Sequence, residues 1–538
     1  MTEWNFADIW ETLAERIPQA PALIHGDRKL TWEAMDQRAN GIARTLIDLG
    51  VEHQDKVAHY LYNCPEYLES TFGILKAGLA PVNTNYRYGD EEIVYLWDNA
   101  DAVAVVFHGT FAERIEGLRS RVPKVKGWLW VDDGSGPCPA WADPYEDAAK
   151  SATERVRGPW GRSGDDLILL YTGGTTGMPK GVMWRQDDLF LRLNEGNIMK
   201  LPEDEGLEGV RRTISGPGPV HLPACPLMHG TGLFTALGMM DVGGSIVTLT
   251  NRRFDPVELL DTVDRDQVNT MAIVGDAFAK PILRELDANP DRWKMSTLLA
   301  IISSGVIWSE PTKAGLLRHR PSLILIDAFS SSEALGMGVS VSSGNAAEHT
   351  GHFSLGRGVR VVNPDTGADV VAGSGEVGVL ALGGRNPLGY YRDPEKTAST
   401  FKVIDGVRYS IPGDFATVEA DGSITLLGRG SVCINTGGEK VFPEEVEEVL
   451  KLHPGVRDAV AVGFADERFG EVVTAAVELN PGATVSEEEL IEHVKSQLAG
   501  YKAPKRIRFV DSIGRAPTGK VDYARHRAEM AEWAAGSA

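Results

Sequence analysis

The sequence predicts an α/β protein with a large N-terminal domain, built of βαβ subdomains and a β-rich subdomain, and a small α+β C-terminal domain. The first observation is length, because 538 residues exceed what one hydrophobic core normally serves. The second is alternation: segments of helical period and short apolar runs follow one another through the first half. The third is a change of pattern to short strands and turns from residue 351, before helices return after residue 428.

The elements of the N-terminal half follow from hydrophobic periodicity. Residues 32–48 and 67–76 have the apolar spacing of helices, and the short apolar runs 56–61 and 102–107 predict strands beside them. Three later apolar runs end in small or polar residues, where α/β proteins usually bind ligands: 267–277, 298–303 and 323–329. The acidic, Gly/Pro-containing segment between residues 194 and 223 is either an excursion near a substrate site or a surface loop.

The C-terminal part predicts a separate compact unit. Turn signals mark residues 351–428 as β-rich, and Ser486 with Glu489 forms a capping box for a last helix. The predicted elements of this unit are a helix over 443–453, strands over 459–463 and 471–479, and a helix over 487–498. We therefore assign the N-terminal domain to residues 1–428, the joint to 429–431 and the C-terminal domain to 432–538.

Composition excludes several classes of protein. Lys and Arg number 54 against 75 Asp and Glu, a net charge of −21, which argues against nucleic-acid binding and broad contact with anionic membranes. The start lacks the pattern of a signal peptide, and no apolar run approaches the length of a spanning helix. The cysteines are far apart and form no C-x-x-C pair: Cys64, Cys138, Cys225 and Cys433. We expect a cytoplasmic protein without integral membrane association, disulfide framework or zinc site.

Residues 171–181 form a loop dense in glycine and hydroxyls after the apolar run 167–170. Glycines let several backbone N–H groups approach one anion, while threonines and a lysine add donors and charge. The residues of this loop expected to hold phosphate are Thr172, Gly173, Gly174, Thr175, Thr176, Gly177 and Lys180. A flexible surface loop is the alternative for this segment taken alone.

Three further clusters carry chemistry. Residues 327–333 form a hydroxyl-rich loop ending in Glu333, whose carboxylate suits Mg²⁺ beside a phosphate, or else caps a helix. Asp414 and Arg429 offer a carboxylate for a ribose diol and a guanidinium for sugar or phosphate, although Asp414 alone is also a common turn residue. Lys520 lies on a turn shaped by Pro517 and Gly519, and taken alone it is an exposed lysine.

Taken together and in order, five of these segments resemble the adenylate-forming (ANL) superfamily, and within it the acyl-CoA synthetases. The matching segments are 171–181, 329–333, 409–414, 428–439 and 517–520. The resemblance covers almost the whole chain. It implies that a carboxylic acid and ATP form acyl-adenylate and pyrophosphate, and that the acyl group then passes to a thiol, with ATP, Mg²⁺ and CoA as the small molecules used. It also implies a mobile C-terminal domain.

The resemblance assigns roles to individual residues. Lys520 contacts the carboxylate and α-phosphate, Glu333 with Thr172 holds Mg²⁺, and the pivot of the C-terminal domain is Ser431. The remaining nucleotide and thiol contacts that it implies are Gly305, Phe329, Ser330, Ser332, Asp414, Arg429, Gly437 and Gly438. Departures from the family pattern include Ser431 in place of Asp or Lys, Ser332 in place of Thr and Phe329 in place of Tyr. These changes leave the ATP site intact and put the balance between the two domain orientations in doubt.

The acyl group is expected to be large and apolar. His229 resembles a gate residue between nucleotide and acyl tunnel, with a packed core histidine as the alternative. Gly275 and Gly305 leave volume where the acyl group is expected, which favours a medium- or long-chain fatty acid or a steroid side-chain acid, as in similar actinobacterial synthetases. The alternatives are an aryl-acid CoA ligase, an enzyme passing acyl groups to a carrier protein or to oxygen, and a non-catalytic nucleotide-binding module. A homodimer is left open.

Overall fold

The structure is a computed structural model that describes residues 3–152, 154–174, 177–306, 308–344, 347–436, 439–466, 470–516 and 521–536. The chain divides into two compact units. The larger unit contains Met1–Thr350 and Gly383–Ser410, and the smaller contains Gly351–Leu382 and Ile411–Ala538. The boundary of the predicted joint at residues 429–431 stays a prediction.

Helices and strands alternate through the larger unit, and the last three α-helices of the chain belong to the smaller unit. The α-helices are α1 (Phe6–Arg16), α2 (Trp32–Asp48), α3 (Pro65–Lys76), α4 (Asp90–Asn99), α5 (Ala112–Leu118), α6 (Tyr145–Ala149), α7 (Gln186–Gly196), α8 (Gly206–Thr213), α9 (Gly230–Asp241), α10 (Pro256–Arg265), α11 (Gly275–Ala288), α12 (Glu310–His319), α13 (Pro394–Thr400), α14 (Pro443–Leu452), α15 (Glu487–Gln497) and α16 (Tyr523–Gly536). None of the described helices is long and apolar enough to cross a lipid bilayer.

The strands are numbered along the whole chain. They are β1 (Pro21–His25), β2 (Arg28–Thr31), β3 (Lys56–Tyr60), β4 (Ala80–Asn83), β5 (Ala102–His108), β6 (Gly127–Val131), β7 (Asp143–Pro144), β8 (Leu167–Gly174), β9 (Gly177–Arg185), β10 (Val220–Pro223), β11 (Ser245–Thr248), β12 (Thr270–Ile273), β13 (Ala300–Ser303), β14 (Ile324–Ser331), β15 (Ala334–Ser343), β16 (His352–Leu355), β17 (Val359–Val362), β18 (Val377–Gly383), β19 (Gly389–Tyr390), β20 (Phe401–Ile404), β21 (Val407–Ser410), β22 (Asp414–Val418), β23 (Ile424–Arg429), β24 (Ile434–Thr436), β25 (Glu439–Val441), β26 (Val456–Asp466), β27 (Gly470–Leu479) and β28 (Arg506–Phe509).

Two mostly parallel sheets organise the larger unit. One has the order β2-β1-β11-β10-β12-β13-β14-β15, and the other has the order β19-β9-β8-β4-β3-β5-β6-β7. The pairs β10–β12, β12–β13 and β13–β14 are parallel, so their carboxyl ends lie at one edge. This arrangement confirms the predicted α/β class of the N-terminal part and brings the predicted strand ends together.

Helix α2 shows how the sequence sets local structure. Its N-cap Thr31 accepts a hydrogen bond from the backbone of Ala34, and its buried residues recur at helical spacing, with Trp32, Met35 and Ala39 fully covered. The predicted span 32–48 coincides with the observed helix. For residues 194–223 the sequence predicted either an excursion near a substrate site or a surface loop. Neither prediction includes the helix α8, which lies within this segment and contacts α1.

The smaller unit contains two sheets. Strands β16, β23, β22, β18 and β17 pair antiparallel in that order. In the second sheet, β26 and β27 form a long antiparallel pair, β28 pairs parallel with β27, and α14 contacts β26. Ser486 accepts a hydrogen bond from Glu489 N at 3.1 Å, so the Ser486 half of the predicted capping box is confirmed as the N-cap of α15. The α+β character of the C-terminal part is therefore also confirmed.

A buried ion network ties the first helices of the larger unit together. The Lys76 ammonium is fully covered and lies 2.8 Å from a Glu11 oxygen and 2.7 Å from an Asp36 oxygen. Arg162, whose side chain is 1% exposed, donates to the same Glu11 oxygen at 2.7 Å. Burial by itself raises the pKa of Glu11, but the bonds and charges of Arg162 and Lys76 outweigh it and lower the pKa to about 2.

Replacement of Lys76 by methionine tests this network. The change removes the buried counter-charge of Asp36 and one of the two buried cations that contact Glu11, so we expect Lys76→Met to lower the free energy of unfolding in urea by about 3–5 kcal/mol at pH 7. Because the pKa of Glu11 is depressed in the fold, the stabilisation is present above the unfolded pKa of about 4.3 and shrinks as the pH falls toward 2.

The matched control is Lys150→Met. Lys150 is 68% exposed at its side chain and pairs with Glu146 at 3.4 Å on the surface, so its loss should cost no more than about 0.5 kcal/mol. Equal effects of the two substitutions would contradict a stabilising role for the buried network.

Candidate active site

The described residues of the predicted phosphate loop lie in the two strands of a β-hairpin. Strands β8 and β9 pair antiparallel with Thr172 opposite Lys180 and Gly174 opposite Gly177, so Gly173 and Gly174 still belong to β8. Residues directly opposite in such a pair place their side chains on the same sheet face. The hairpin therefore brings the first hydroxyl and the lysine of the motif to one face, although they are eight positions apart in sequence.

Lys180 has a carboxylate partner within the larger unit. Its ammonium donates a hydrogen bond to Asp393, the N-cap residue of α13. This bond lowers the pKa of Asp393, which remains ionised at neutral pH. Asp393 is therefore a counter-charge of the Lys180 ammonium in the larger unit.

A close packing contact fixes the base of the hairpin. A Cβ atom on Gly181 would lie 2.6 Å from the ring of Tyr171, so only glycine fits at this position. The Tyr171 hydroxyl donates to the side chain of Asn99 at 2.6 Å, and the ring is 3% exposed. The last glycine of the motif thus serves packing against Tyr171.

Glu333 lies in a tight turn. Strands β14 and β15 pair up to Ser331 opposite Ala334, which leaves Ser332 and Glu333 as the two turn residues. The hydroxyl of Tyr390 donates to a Glu333 oxygen at 2.7 Å, and Trp184 Nε1 donates to the Ser332 carbonyl at 2.9 Å. The predicted hydroxyl-rich loop is present, and Glu333 caps no helix.

The other predicted residues of this segment belong to the same hairpin. Phe329 is paired with Gly338, and the Ser330 hydroxyl accepts a hydrogen bond from Gly336 N at 2.9 Å. Two positions before Phe329, the Asp327 side chain is 6% exposed, and burial raises its pKa to about 7 although the charge of nearby Lys313 opposes the shift.

Sequence reasoning missed the segment that joins these two hairpins. Strand β19 pairs with β9, with Tyr390 opposite Val182, and it carries Tyr390 to Glu333 and Asp393 to Lys180. Gly389 has φ of +146°, and a Cβ there would lie 2.4 Å from Thr397, so the turn into this strand requires glycine. The signal available in the sequence was this glycine directly before two tyrosines and an Arg-Asp pair.

Glu333 suits a magnesium ion that is also held by a nucleotide. One of its oxygens is bonded to Tyr390, which orients the carboxylate and leaves the other for a metal. Among the described residues, no group of three or more His, Cys, Asp or Glu side chains is placed to hold a metal by itself. A single oriented carboxylate beside a phosphate loop is the donor set that Mg²⁺ uses when phosphates and water complete its shell.

The strand ends of the first sheet lie near His229. His229 is the N-cap residue of α9, and the next polar residue of that helix, Thr231, would lie 3.8 Å from a Cβ on Gly305. Val274 would lie 4.0 Å from the same Cβ. Thr231, two residues after His229, therefore lies close to Gly305, and the roles predicted for His229 and Gly305 stay predictions.

Gly275 and Gly305 also have backbone reasons to be glycine. Their φ angles are +51° and +93°, a region in which side chains are disfavoured. The N–H of Gly275 donates to the buried Ser303 hydroxyl at 2.9 Å, which joins the ends of β12 and β13. Backbone conformation is thus one reason for glycine at both positions, and the predicted role of these glycines in leaving volume for an acyl group stays a prediction.

In the smaller unit, Asp414 and Arg429 are brought together. They are opposite residues of β22 and β23, and Arg429 Nε donates to Asp414 at 3.1 Å. Gly428 packs on Glu444, whose carboxylate oxygen would lie 2.2 Å from a Cβ at that position. Burial and the neighbouring carboxylate of Glu447 raise the pKa of Glu444 to about 8.

Some predicted site residues lie outside the described residues. They are Thr175, Thr176, Gly437, Gly438 and Lys520. The roles assigned to them stay predictions.

Comparison with known proteins decides the family. The sequence profile of the AMP-binding enzyme family matches residues 10–391, and that of the AMP-binding enzyme C-terminal domain matches residues 445–520. The chain belongs to the AMP-binding enzyme family. The predicted superfamily and the class of enzyme, an AMP-forming acid–thiol ligase, are thereby confirmed.

Full-length relatives of this AMP-binding enzyme are CoA ligases. The chain is 41% identical over 531 residues to a medium/long-chain-fatty-acid–CoA/3-oxocholest-4-en-26-oate–CoA ligase of Mycolicibacterium smegmatis, covering 96% of this chain and 95% of the relative. It is 40% identical over 532 residues to a 3-oxocholest-4-en-26-oate–CoA ligase of Rhodococcus rhodochrous, covering 96% and 94%.

Solved structures share the fold of this AMP-binding enzyme. The anthranilate CoA ligase AuaEII in complex with anthranoyl-AMP superposes with a TM-score of 0.84 at 22% identity, covering 99% of each chain. ATP-bound MatB from Rhodopseudomonas palustris superposes with a TM-score of 0.79 at 25% identity, covering 98% of this chain and 99% of that one.

The Tyr390 hydroxyl provides a test of the magnesium assignment. Tyr390→Phe removes one hydrogen bond to a charged carboxylate, so we expect about tenfold more Mg²⁺ for half-maximal acid-dependent pyrophosphate exchange. The control is Tyr391→Phe, because the Tyr391 hydroxyl donates instead to Asp101 at 2.9 Å. An unchanged Mg²⁺ requirement in Tyr390→Phe would remove the support for Glu333 as the metal ligand.

Proposed function

We propose that this AMP-binding enzyme is an ATP-dependent acyl-CoA synthetase for a medium- or long-chain fatty acid or a steroid side-chain acid. The observation that carries the substrate class is the 41% identity, over 96% of this chain, to a ligase whose name gives both kinds of acid. The hairpin that aligns Thr172 with Lys180, and the oriented Glu333, support the nucleotide half of the reaction.

In the first half-reaction, the acid carboxylate attacks the α-phosphate of ATP and pyrophosphate leaves. Negative charge grows on the phosphates, so fixed donors and cations lower the barrier. Thr172 and Lys180 would hold the β- and γ-phosphates, and Lys180 would exchange its bond to Asp393 for phosphate oxygens. Mg²⁺ bound through Glu333 would neutralise phosphate charge. Lys520 would contact the carboxylate and the α-phosphate.

In the second half-reaction, the CoA thiol attacks the acyl carbon and AMP leaves. The proposed C-terminal domain, residues 432–538, would turn about Ser431, withdraw Lys520 and bring Gly437 and Gly438 to the thiol approach. Asp414 and Arg429, already paired across β22 and β23, would bind the ribose diol. No covalent bond to the enzyme forms in either step.

The acyl side of the site supports a large apolar acid. Thr231, Val274 and Gly305 lie close together, and none carries a charged group. His229, at the start of α9, would separate this region from the nucleotide. An apolar acid gains binding free energy from burial there, at about 0.8 kcal/mol for each buried methylene, whereas acetate gains almost none.

The remaining assignments follow from the same proposal. The enzyme would act in the cytoplasm, where its four cysteines stay reduced, as the absence of any disulfide among Cys64, Cys138, Cys225 and Cys433 supports. Its partners would be the acid, ATP and CoA, and a homodimer is one assembly consistent with them.

A panel of acids tests the substrate class. Acid-dependent exchange of pyrophosphate into ATP is measured with acetate, benzoate, dodecanoate, hexadecanoate and 3-oxocholest-4-en-26-oate. We expect kcat/KM for the three large apolar acids to exceed that for acetate by at least about a hundredfold, since about four buried methylenes at about 0.8 kcal/mol each already supply that ratio. Preference for benzoate would favour an aryl-acid ligase. Pyrophosphate exchange without CoA-dependent thioester formation would indicate that the acyl group has another acceptor. The absence of exchange with every acid of the panel would indicate a non-catalytic nucleotide-binding module.

Replacement of Lys520 tests the two half-reactions separately. Lys520→Ala removes the cation at the α-phosphate, so adenylation should fall by at least about a thousandfold. Thioester formation from supplied dodecanoyl-adenylate should stay within about threefold of the wild type, because Lys520 would be withdrawn in that step. The control is Lys495→Ala, which removes a lysine paired with Glu492 on the surface of α15. Equal loss of both half-reactions in Lys520→Ala would contradict domain alternation.

A further inference from the structure

Asn83 makes three hydrogen bonds in the interior of the larger unit. It is the last residue of β4 and is 4% exposed. Its Nδ2 donates to the Tyr171 carbonyl at 2.8 Å and to the Met228 carbonyl at 2.7 Å. Its Oδ1 accepts from the Tyr171 N–H at 2.6 Å. Both donor hydrogens of the amide are therefore used, and the Tyr171 N–H fixes which side-chain atom is the oxygen.

The two residues that Asn83 joins lead directly into the two halves of the candidate site. Tyr171 lies in β8, which we call the phosphate strand and which forms the phosphate hairpin with β9. Tyr171 precedes Thr172, the first of the residues predicted to hold phosphate, and Met228 precedes His229, the N-cap of α9. These segments are more than fifty residues apart in sequence. One amide thus connects the backbone of the phosphate strand to the backbone that leads to the acyl side.

Asn63 provides a natural comparison on the acyl side. It holds the segment before His229, because its Nδ2 donates to the Cys225 carbonyl at 3.0 Å and its Oδ1 accepts from Leu227 N at 2.7 Å. Its Nδ2 also donates to the Pro223 carbonyl at 3.3 Å, so these three bonds of Asn63 all go to the segment between Pro223 and Leu227. Asn63 therefore secures the acyl-side segment, whereas Asn83 also ties that segment to Tyr171.

We propose that Asn83 is a positioning residue that couples binding of the acid to binding of the nucleotide. This inference rests on the proposed function, since it needs both ligands in one site. A shift of the Met228–His229 backbone when the acid binds moves the Asn83 amide, and the amide moves Tyr171 through two bonds at the base of the phosphate hairpin. The coupling is reciprocal, so ATP must favour acid binding by the same factor.

To make these bonds, the side chain at position 83 must donate two hydrogen bonds and accept one. Leucine has the same number of side-chain heavy atoms as asparagine and the same branching at Cγ, but it makes none of the three bonds, so the two segments lose their connection while a branched side chain still occupies the position. Serine keeps a polar atom on a shorter side chain, which cannot span from Tyr171 to Met228. Both variants therefore remove the connection by different routes.

The experiment measures dissociation constants of the full-length protein for an ATP analogue whose α,β-bridging oxygen is a methylene, so that pyrophosphate cannot leave. Each constant is measured in Mg²⁺ with and without saturating dodecanoate. In the wild type we expect dodecanoate to tighten analogue binding about tenfold. In Asn83→Leu the ratio should fall below about twofold, with the constant measured without acid changed less than about threefold. If Asn83→Leu does not fold, the same two dissociation constants are measured with Asn83→Ser.

The matched control is Asn63→Leu, which loosens the acyl-side segment and should keep a ratio of about tenfold. A wild-type ratio retained in the folded Asn83 variant overturns the proposal, and so does an equal loss of the ratio in Asn63→Leu. A wild type that forms dodecanoyl-CoA but shows a ratio of one also overturns it and leaves the proposed function standing. A wild type that neither binds nor activates any acid of the panel contradicts the proposed function itself.

Discussion

The antiparallel pairing of β8 with β9 is the constraint on which the site depends. It sets Thr172 opposite Lys180, and it places Gly181 under the ring of Tyr171, where no side chain fits. Because β9 also pairs with β19, the same ladder delivers Tyr390 to Glu333 and Asp393 to Lys180. A backbone ladder can hold these groups because each strand fixes its neighbour's register, and in a sheet a slip by one residue would turn every side chain to the opposite face.

Positively charged side chains of this acidic protein are paired with carboxylates at particular sites. The net charge is −21, yet the described part of the phosphate hairpin presents Lys180, whose ammonium is paired with the Asp393 carboxylate. Elsewhere, the buried ammonium of Lys76 has two counter-charges at once, because it contacts both Glu11 and Asp36. Such pairs stabilise the fold only when every member is satisfied, because an uncompensated charge in the interior costs more than one exposed to water.

Sequence periodicity was a good guide wherever one element could be decided by its own residues. The α2 span, the strand ends after β13 and β14, and the Ser486 cap were all predictable, since they depend on apolar spacing and local hydrogen bonds. The α8 helix inside an acidic segment was not, because its formation depends on packing against α1, far away in sequence. The contact of Tyr390 was not predictable for the same reason, because nothing near it in the chain indicates that its hydroxyl donates a hydrogen bond to Glu333.

By itself the sequence determined the family and the two-step chemistry that the family implies, and it predicted the residues that carry this chemistry, because glycines, hydroxyls and a lysine at fixed spacing are a local property of the chain. Tertiary structure decided which of these groups meet. The pairing of Asp414 with Arg429, the bond from Tyr390 to Glu333 and the connection made by Asn83 join residues up to 145 positions apart. Contacts at such separations depend on strand order and register, which are set by the packing of whole sheets and cannot be read from one segment.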